Sequence, residues 1–164
     1  MPDSASDAGA GADADADPRA DVFDLAIGTP QPTQYCLSAG KLRDVLAWFD
    51  VDDPSYEPLP VARLGAEHRD GEGGVVDGGN AETGWLLLDG HTRAVCALLA
   101  GERSLSVRDA TADDDVDLDV YLTCRDWCRE RGVRSVRDLV GETWSADRYA
   151  EEWLARCEAA FGDD

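Results

Sequence analysis

The segment "LLLDGHTRAVCALLAGERSLSV", residues 86–107, sets an acid, a glycine, a histidine, a hydroxyl and an arginine side by side as Asp89-Gly90-His91-Thr92-Arg93, between an apolar strand and an apolar helix. The first turn of a helix carries the positive end of its dipole, which Asp and Glu stabilise and which His91 and Arg93 oppose. An anion received at the turn resolves the conflict. Helix N-termini point unpaired N–H groups outward, and Gly90 lets a phosphate come close to the backbone. Arg93 can fork onto phosphate oxygens, Thr92 can donate its hydroxyl, and His91 can donate a proton or a hydrogen bond. Asp89, at the end of the strand, can cap the helix, hold His91 in one tautomer, coordinate Mg2+ or act as a base. The plain alternative is an ordinary Asp-Gly turn with Arg93 in solvent.

Other chemically capable residues stand in weaker patterns. Cys124 and Cys128 are one helical turn apart and, with Cys157 and His68, offer zinc-type donors, but the short Cys-x-x-Cys knuckle is missing and the cysteines fall on apolar stripes. They read as small core residues. Trp127, Trp153 and Tyr149 share those stripes and read as core or as an interface. His68 sits beside Arg69 in a glycine-rich stretch, as a solvated side chain or as part of a lid over a nucleotide. The acidic runs "DADADAD" and "ADDDVDLD" lack the turn glycine and closing glutamate of a calcium loop and read as solvated surface.

A site of this kind needs a strand to deliver Asp89 and a helix to hold Arg93. "WLLL" supplies the strand, residues 91–101 the helix, and Leu105 to Arg108 a strand after it. Upstream, Val22, Phe23, Leu25 and Ile27 form a strand ending at the turn-rich "GTPQPTQ", and Tyr35 to Leu37 a second short one. Ser38 caps an amphipathic helix in "AGKLRDVLAWFD", with Leu42, Val45, Leu46 and Phe49 on one face. "EPLPVARL" is a strand, and residues 65–84 form a glycine-rich, acidic insertion. Downstream the pattern is helical, from about Val116 to Arg131 with Gly132 as its stop, then a capping box at Ser135 and Asp138, then a last helix capped by Ser145. Its stripe is Tyr149, Trp153, Leu154, Cys157 and Phe161. The expected class is α+β, a small mixed β-sheet with helices and a C-terminal helical annex. The expected organisation is a disordered acidic tail at 1–20, a domain at 21–110 and a helical segment at 111–164.

Composition restricts the partners. The 164 residues hold 35 Asp and Glu against 15 Lys and Arg, a formal charge of -20, and Lys41 is the only lysine. Acidic, lysine-poor surfaces suit concentrated salt, which screens their self-repulsion. A halophilic, archaeal type of protein is the expectation. Direct DNA binding is disfavoured, since phosphate contacts need clustered basic residues. Five scattered cysteines fit reduced thiols in a cytoplasm. No basic segment followed by an apolar stretch opens the sequence, and no apolar run approaches the ~18 residues of a membrane span.

"PLPV" at 58–61 followed by "LLLDGHTRAVCALLAGERSLSV" resembles the ParB-like N-terminal domain, shared with sulfiredoxins and with certain archaeal free-serine kinases, over roughly residues 22 to 110. The resemblance implies a sheet and helices of that type, with a Gly-x-x-Arg turn that binds nucleotide phosphates through Gly90 and Arg93. His91 stands where sulfiredoxins carry their reactive cysteine, which argues against sulfinic acid reduction. ParB proteins have a more basic turn, bind CTP and continue into a helix-turn-helix that reads DNA. The corresponding helix here, "SADRYAEEWLARCEAAF", has Arg148 and Arg156 against Asp147, Glu151, Glu152 and Glu158. The serine kinases are the nearer likeness, and they imply ATP, ADP or CTP with Mg2+, a small-molecule acceptor and a glutamate base, for which Glu57 is the candidate. Two other classes stay open: a DNA-associated partition or regulatory adaptor, and a non-catalytic interaction module that dimerises or binds a partner through an apolar patch around Tyr149 and Trp153. Whether a bound phosphate is transferred, hydrolysed or only sensed stays open too.

Overall fold

The computed structural model describes residues 22–65 and 84–162; the acidic tail, His68 and nearly all of the glycine-rich insertion lie outside the described residues. In chain order the elements are β1 (Val22–Ala26), β2 (Gln31–Pro32), β3 (Leu37–Ser38), α1 (Ala39–Leu46), β4 (Leu59–Arg63), β5 (Trp85–Leu87), α2 (His91–Leu99), β6 (Ser104–Asp109) and α3 (Leu118–Glu130). A 3-10 helix (Val136–Leu139), β7 (Thr143–Trp144) and α4 (146–161) complete it. The chain is α+β, a five-stranded mixed sheet in the order β1-β6-β4-β5-β2 with a second, two-stranded sheet beside it. β4 lies at its centre, parallel to β6 and antiparallel to β5.

The strand period of two sorts this apolar run onto two faces. Leu59, Val61, Trp85 and Leu87 enter the main core with α2, whereas Ala62, Leu64, Leu86 and Leu88 enter a smaller one covered by Leu118, Tyr121 and Leu122 of α3. An uninterrupted "WLLL" is what a strand covered on both sides requires. Val136, Leu139, Trp144, Tyr149 and Trp153 lie in the same main core as Leu59 and Val61, so the C-terminal helices close over the sheet rather than standing off it. β3 and β7 add a parallel pair, Leu37 with Thr143 and Ser38 with Trp144.

Element edges differ from the sequence pattern for local reasons. α1 ends at Leu46, not Asp50, and a turn carries Phe49 into the core while Leu46 stays half exposed. Ser135 and Asp138 do form a capping box, over a 3-10 helix. α4 opens with Ala146–Arg148, passes through a π-helical stretch, Tyr149–Leu154, and closes as α-helix over Ala155–Phe161. An α-helix turns about 100° per residue, so Tyr149, Trp153, Cys157 and Phe161, spaced by fours, would spiral away from a single face. The wider π turn slows that drift and keeps Tyr149 and Trp153 both buried.

Candidate anion-binding site

The chain leaves β5 through buried Leu88, exposes Asp89, and turns into α2 at Gly90. Gly90 has φ 82° and ψ 23°, the left-handed region that an L side chain resists. A Cβ at this position would stand 2.6 Å from Leu59 Cδ2. Conformation and space both require glycine here. The Asp89 carboxylate accepts the Gly90 N–H at 2.7 Å, so it holds the turn and does not cap the helix. No side chain caps α2, and no acid lies in its first turn. Among the described residues the N–H groups of His91, Thr92 and Arg93 have no partner.

His91 faces inward. It is 4% exposed, and its Nε2 accepts the backbone N–H of Thr33 at 3.0 Å, while the Thr33 hydroxyl donates to the Leu87 carbonyl at 2.8 Å. Burial lowers its pKa to about 4, against the smaller upward pull of Asp89. At neutral pH His91 is therefore uncharged and its Nε2 occupied, so it is not the charged proton donor expected, although the N–H on its other ring nitrogen can still donate a hydrogen bond. The Thr33 N–H, rather than Asp89, selects its tautomer and leaves the proton on Nδ1. What His91 does is lock the start of α2 to the segment that follows β2.

Thr92 is buried at the wall and Arg93 half-buried, its guanidinium folded back beside Gly90. Arg93 makes no ion pair among the described residues. Facing this turn is α1, and the two enclose a cleft of about 210 Å³ lined by Asp89 to Arg93 and by Gln34, Lys41, Asp44 and Val45. Lys41 is the residue that sequence reasoning missed. Its one available signal was compositional: a sole lysine among 35 acids is an outlier that invites a specific job. In this cleft two cations, Lys41 and Arg93, and the open end of a helix meet two carboxylates, Asp44 and Asp89, so a strongly negative chain is locally close to balanced.

Glu57 stands elsewhere. It is exposed on a neighbouring cleft of about 670 Å³, with Val45, Trp48, Ser55 and Tyr56. Val45 and Arg93 line both clefts, whereas Asp89 lines only the smaller and Glu57 only the larger.

Cys124 and Cys128 are buried, and desolvation pushes both thiols up, that of Cys124 to about 12. They are protonated core residues; among the described residues no three His, Cys, Asp or Glu side chains are placed to hold a metal. Trp153 packs edge-on against Tyr35 and Trp127 at 4.9 and 6.0 Å between ring centroids. Tyr149 and Trp153 are each 5% exposed, so the expected partner patch around them is interior, a correction to the sequence reading. Arg148 lies 3.7 Å over Trp144, and Arg156 lies 4.0 Å over Trp127 and donates to the Tyr35 hydroxyl at 3.2 Å. No helix of the described residues is long and apolar enough to cross a membrane.

Compared with known proteins, the chain matches no family model, no curated protein and no solved structure.

Proposed function

We propose that this protein binds the phosphates of a nucleotide in the cleft between the start of α2 and α1. One observation carries the reading: an uncapped helix start and an arginine with no ion pair among the described residues line a single cleft with the chain's only lysine. Phosphate oxygens would accept from the His91, Thr92 and Arg93 N–H groups, and Arg93 and Lys41 would neutralise their charge. The resemblance of residues 22 to 110 to the ParB-like and serine-kinase domains points the same way, through Gly90 and Arg93. His91 contributes its backbone N–H and its locked ring, not a proton.

A phosphotransferase needs more than a phosphate cradle. Asp89, exposed at the rim with one oxygen on the Gly90 N–H, is placed to receive a proton from an acceptor hydroxyl. Asp89 and Asp44 could hold a nucleotide-bound Mg2+, which would add positive charge beside the phosphates; two carboxylates suit an ion that keeps most of its ligands from water and phosphate. We further propose that the acidic surface is an adaptation to concentrated salt. At molar salt the Debye length falls to about 3 Å, which suppresses the chain's general repulsion of a polyanion and leaves contact pairs in force.

The test is calorimetric titration of ATP, ADP and CTP with Mg2+ in concentrated KCl, on wild type and Arg93→Ala. At least one nucleotide is expected to bind, with a loss of roughly 10- to 100-fold in the variant, the worth of a charge-assisted contact. Absence of binding by all three, or equal affinity in Arg93→Ala, would sink the proposal.

A further inference from the structure

The larger cleft opens from the phosphate cleft, with Val45 and Arg93 in the walls of both. Its wall holds an anomaly. Trp85, Trp144 and Trp153 are 7%, 4% and 5% exposed, as large apolar rings in a folded domain are expected to be, whereas Trp48 is 53% exposed. The platform beneath it is built and fixed. Trp48 packs on buried Phe49 at 5.9 Å between centroids, and Phe49 stacks on Tyr56 at 6.1 Å and 17°. The Tyr56 hydroxyl in turn accepts the Ser106 N–H of β6 at 3.1 Å. The Trp48 backbone is tied to the end of α1 by its main-chain N–H, which donates to the Val45 carbonyl at 3.1 Å.

We infer that this second cleft is the nucleoside subsite, in which the base of the bound nucleotide stacks on Trp48 while its phosphates pass Arg93 into the smaller cleft. The inference rests on the phosphate reading and adds what that reading lacks, a reason to prefer a nucleotide to any other phosphate. A half-exposed indole offers a π face to a heteroaromatic base of any identity, so stacking here selects for a base without choosing which one. Glu57 and Ser55, on the same wall, carry an acceptor carboxylate and a hydroxyl suited to the ribose hydroxyl groups. Glu57 thereby becomes a sugar ligand, and the base role implied by the serine-kinase likeness falls away from it. Arg93, at the junction, meets the charge nearest the sugar.

The experiment titrates ATP, CTP and inorganic tripolyphosphate, each with Mg2+ in concentrated KCl, into the full chain as wild type, Trp48→Ala, Trp48→Phe and Arg93→Ala. Wild type is expected to bind ATP or CTP at least roughly tenfold more tightly than tripolyphosphate, the size of one stacking contact. Trp48→Ala brings that nucleotide down to the tripolyphosphate level while tripolyphosphate binding stays unchanged, which also shows the variant folded. Trp48→Phe restores most of the preference, and Arg93→Ala weakens every ligand. Nucleotides no tighter than tripolyphosphate, or a Trp48→Ala variant with full nucleotide affinity, would overturn the subsite and leave the phosphate reading standing; Trp48 would then belong to a protein-docking patch with Leu46 and Val51, which are 47% and 48% exposed. Failure of all three ligands on wild type would remove the phosphate reading and this inference with it.

Discussion

Two helices of this chain carry an arginine at the third position of their first turn, and they treat it in opposite ways. At the start of α4, Ser145 caps the helix by accepting the Arg148 N–H at 3.1 Å, and Asp147 supplies an acid to the first turn. The Arg148 guanidinium lies over Trp144 and donates to Glu152 at 3.2 Å. At the start of α2, Gly90 offers no side chain, no acid follows, and Arg93 has no ion pair among the described residues. One helix start is satisfied by its own side chains; the other has no such partner among the described residues. An arginine at a helix N-terminus is thus no evidence for a ligand until its surroundings show whether the fold has already satisfied it.

If the open turn is a built feature, its glycine should be far less replaceable than others of the same backbone sign. Gly90→Ala forces an L residue into the left-handed region and drives a methyl against Leu59, a combined cost of about 3–4 kcal/mol. Gly101→Ala is the control, because φ is +93° there but nothing lies within 4 Å, and about 1 kcal/mol is expected. Urea unfolding of both variants measures the difference. Equal costs would mean that Leu59 does not hold the turn against the sheet.

His91 makes the next largest difference between the two helix starts, since Tyr149, the buried titratable group of α4, is pushed up to about 12 by burial and stays neutral across the acid range. The unfolded chain protonates His91 at its ordinary value of 6.5, and the folded chain resists until about 4. In that window the unfolded state binds the extra proton. The stability contributed by neutral His91 is therefore complete above about pH 6.5 and is lost as pH falls toward 4, up to about 3 kcal/mol in all. His91→Gln keeps an acceptor for the Thr33 N–H and cannot titrate. Its urea midpoint should fall less steeply than that of wild type between pH 6.5 and 4.5; parallel curves would place the acid sensitivity elsewhere.

The legibility of these features in the sequence followed the range of the interactions behind them. The open turn was visible because the conflict between the dipole and His91 with Arg93 is local, and the α+β class was visible because strand and helix periods differ. The inward turn of His91 was not, for it depends on Thr33, 58 positions away, and a histidine at a helix start looks alike whether it faces solvent or core. The β3–β7 pair escaped because two-residue strands carry no period. The fourfold spacing from Tyr149 to Phe161 is in plain view, but on sequence alone it reads as an α stripe, the nearest regular pattern. Glu57 and Lys41 show the limit for sites: which residues share a cleft depends on how α1 meets α2, and no spacing along the chain encodes that.

Smaller effects test the closed helix. Ser145→Ala removes the cap of α4 and should cost about 1 kcal/mol in urea unfolding. A neutral result would mean that α4 is held by Tyr149 and Trp153 alone, and its start would no longer contrast with that of α2.

The smallest expected change bears on the difference most directly. Arg148→Ala gives up a stack on Trp144 and should lower stability by about 0.5–1 kcal/mol with or without ligand. Arg93→Ala gives up no ion pair among the described residues and should leave the ligand-free protein within about 0.5 kcal/mol of wild type. The order reverses when a nucleotide is added. At a hundred times its dissociation constant a ligand stabilises the folded state by about 2.7 kcal/mol, and Arg93→Ala should lose most of that gain while Arg148→Ala keeps it. Thermal melts of the three proteins with and without Mg-nucleotide in concentrated KCl read both quantities together. An Arg93→Ala protein that melts early without ligand would show that the fold already uses this arginine, and the two helix starts would then differ only in which internal group satisfies them.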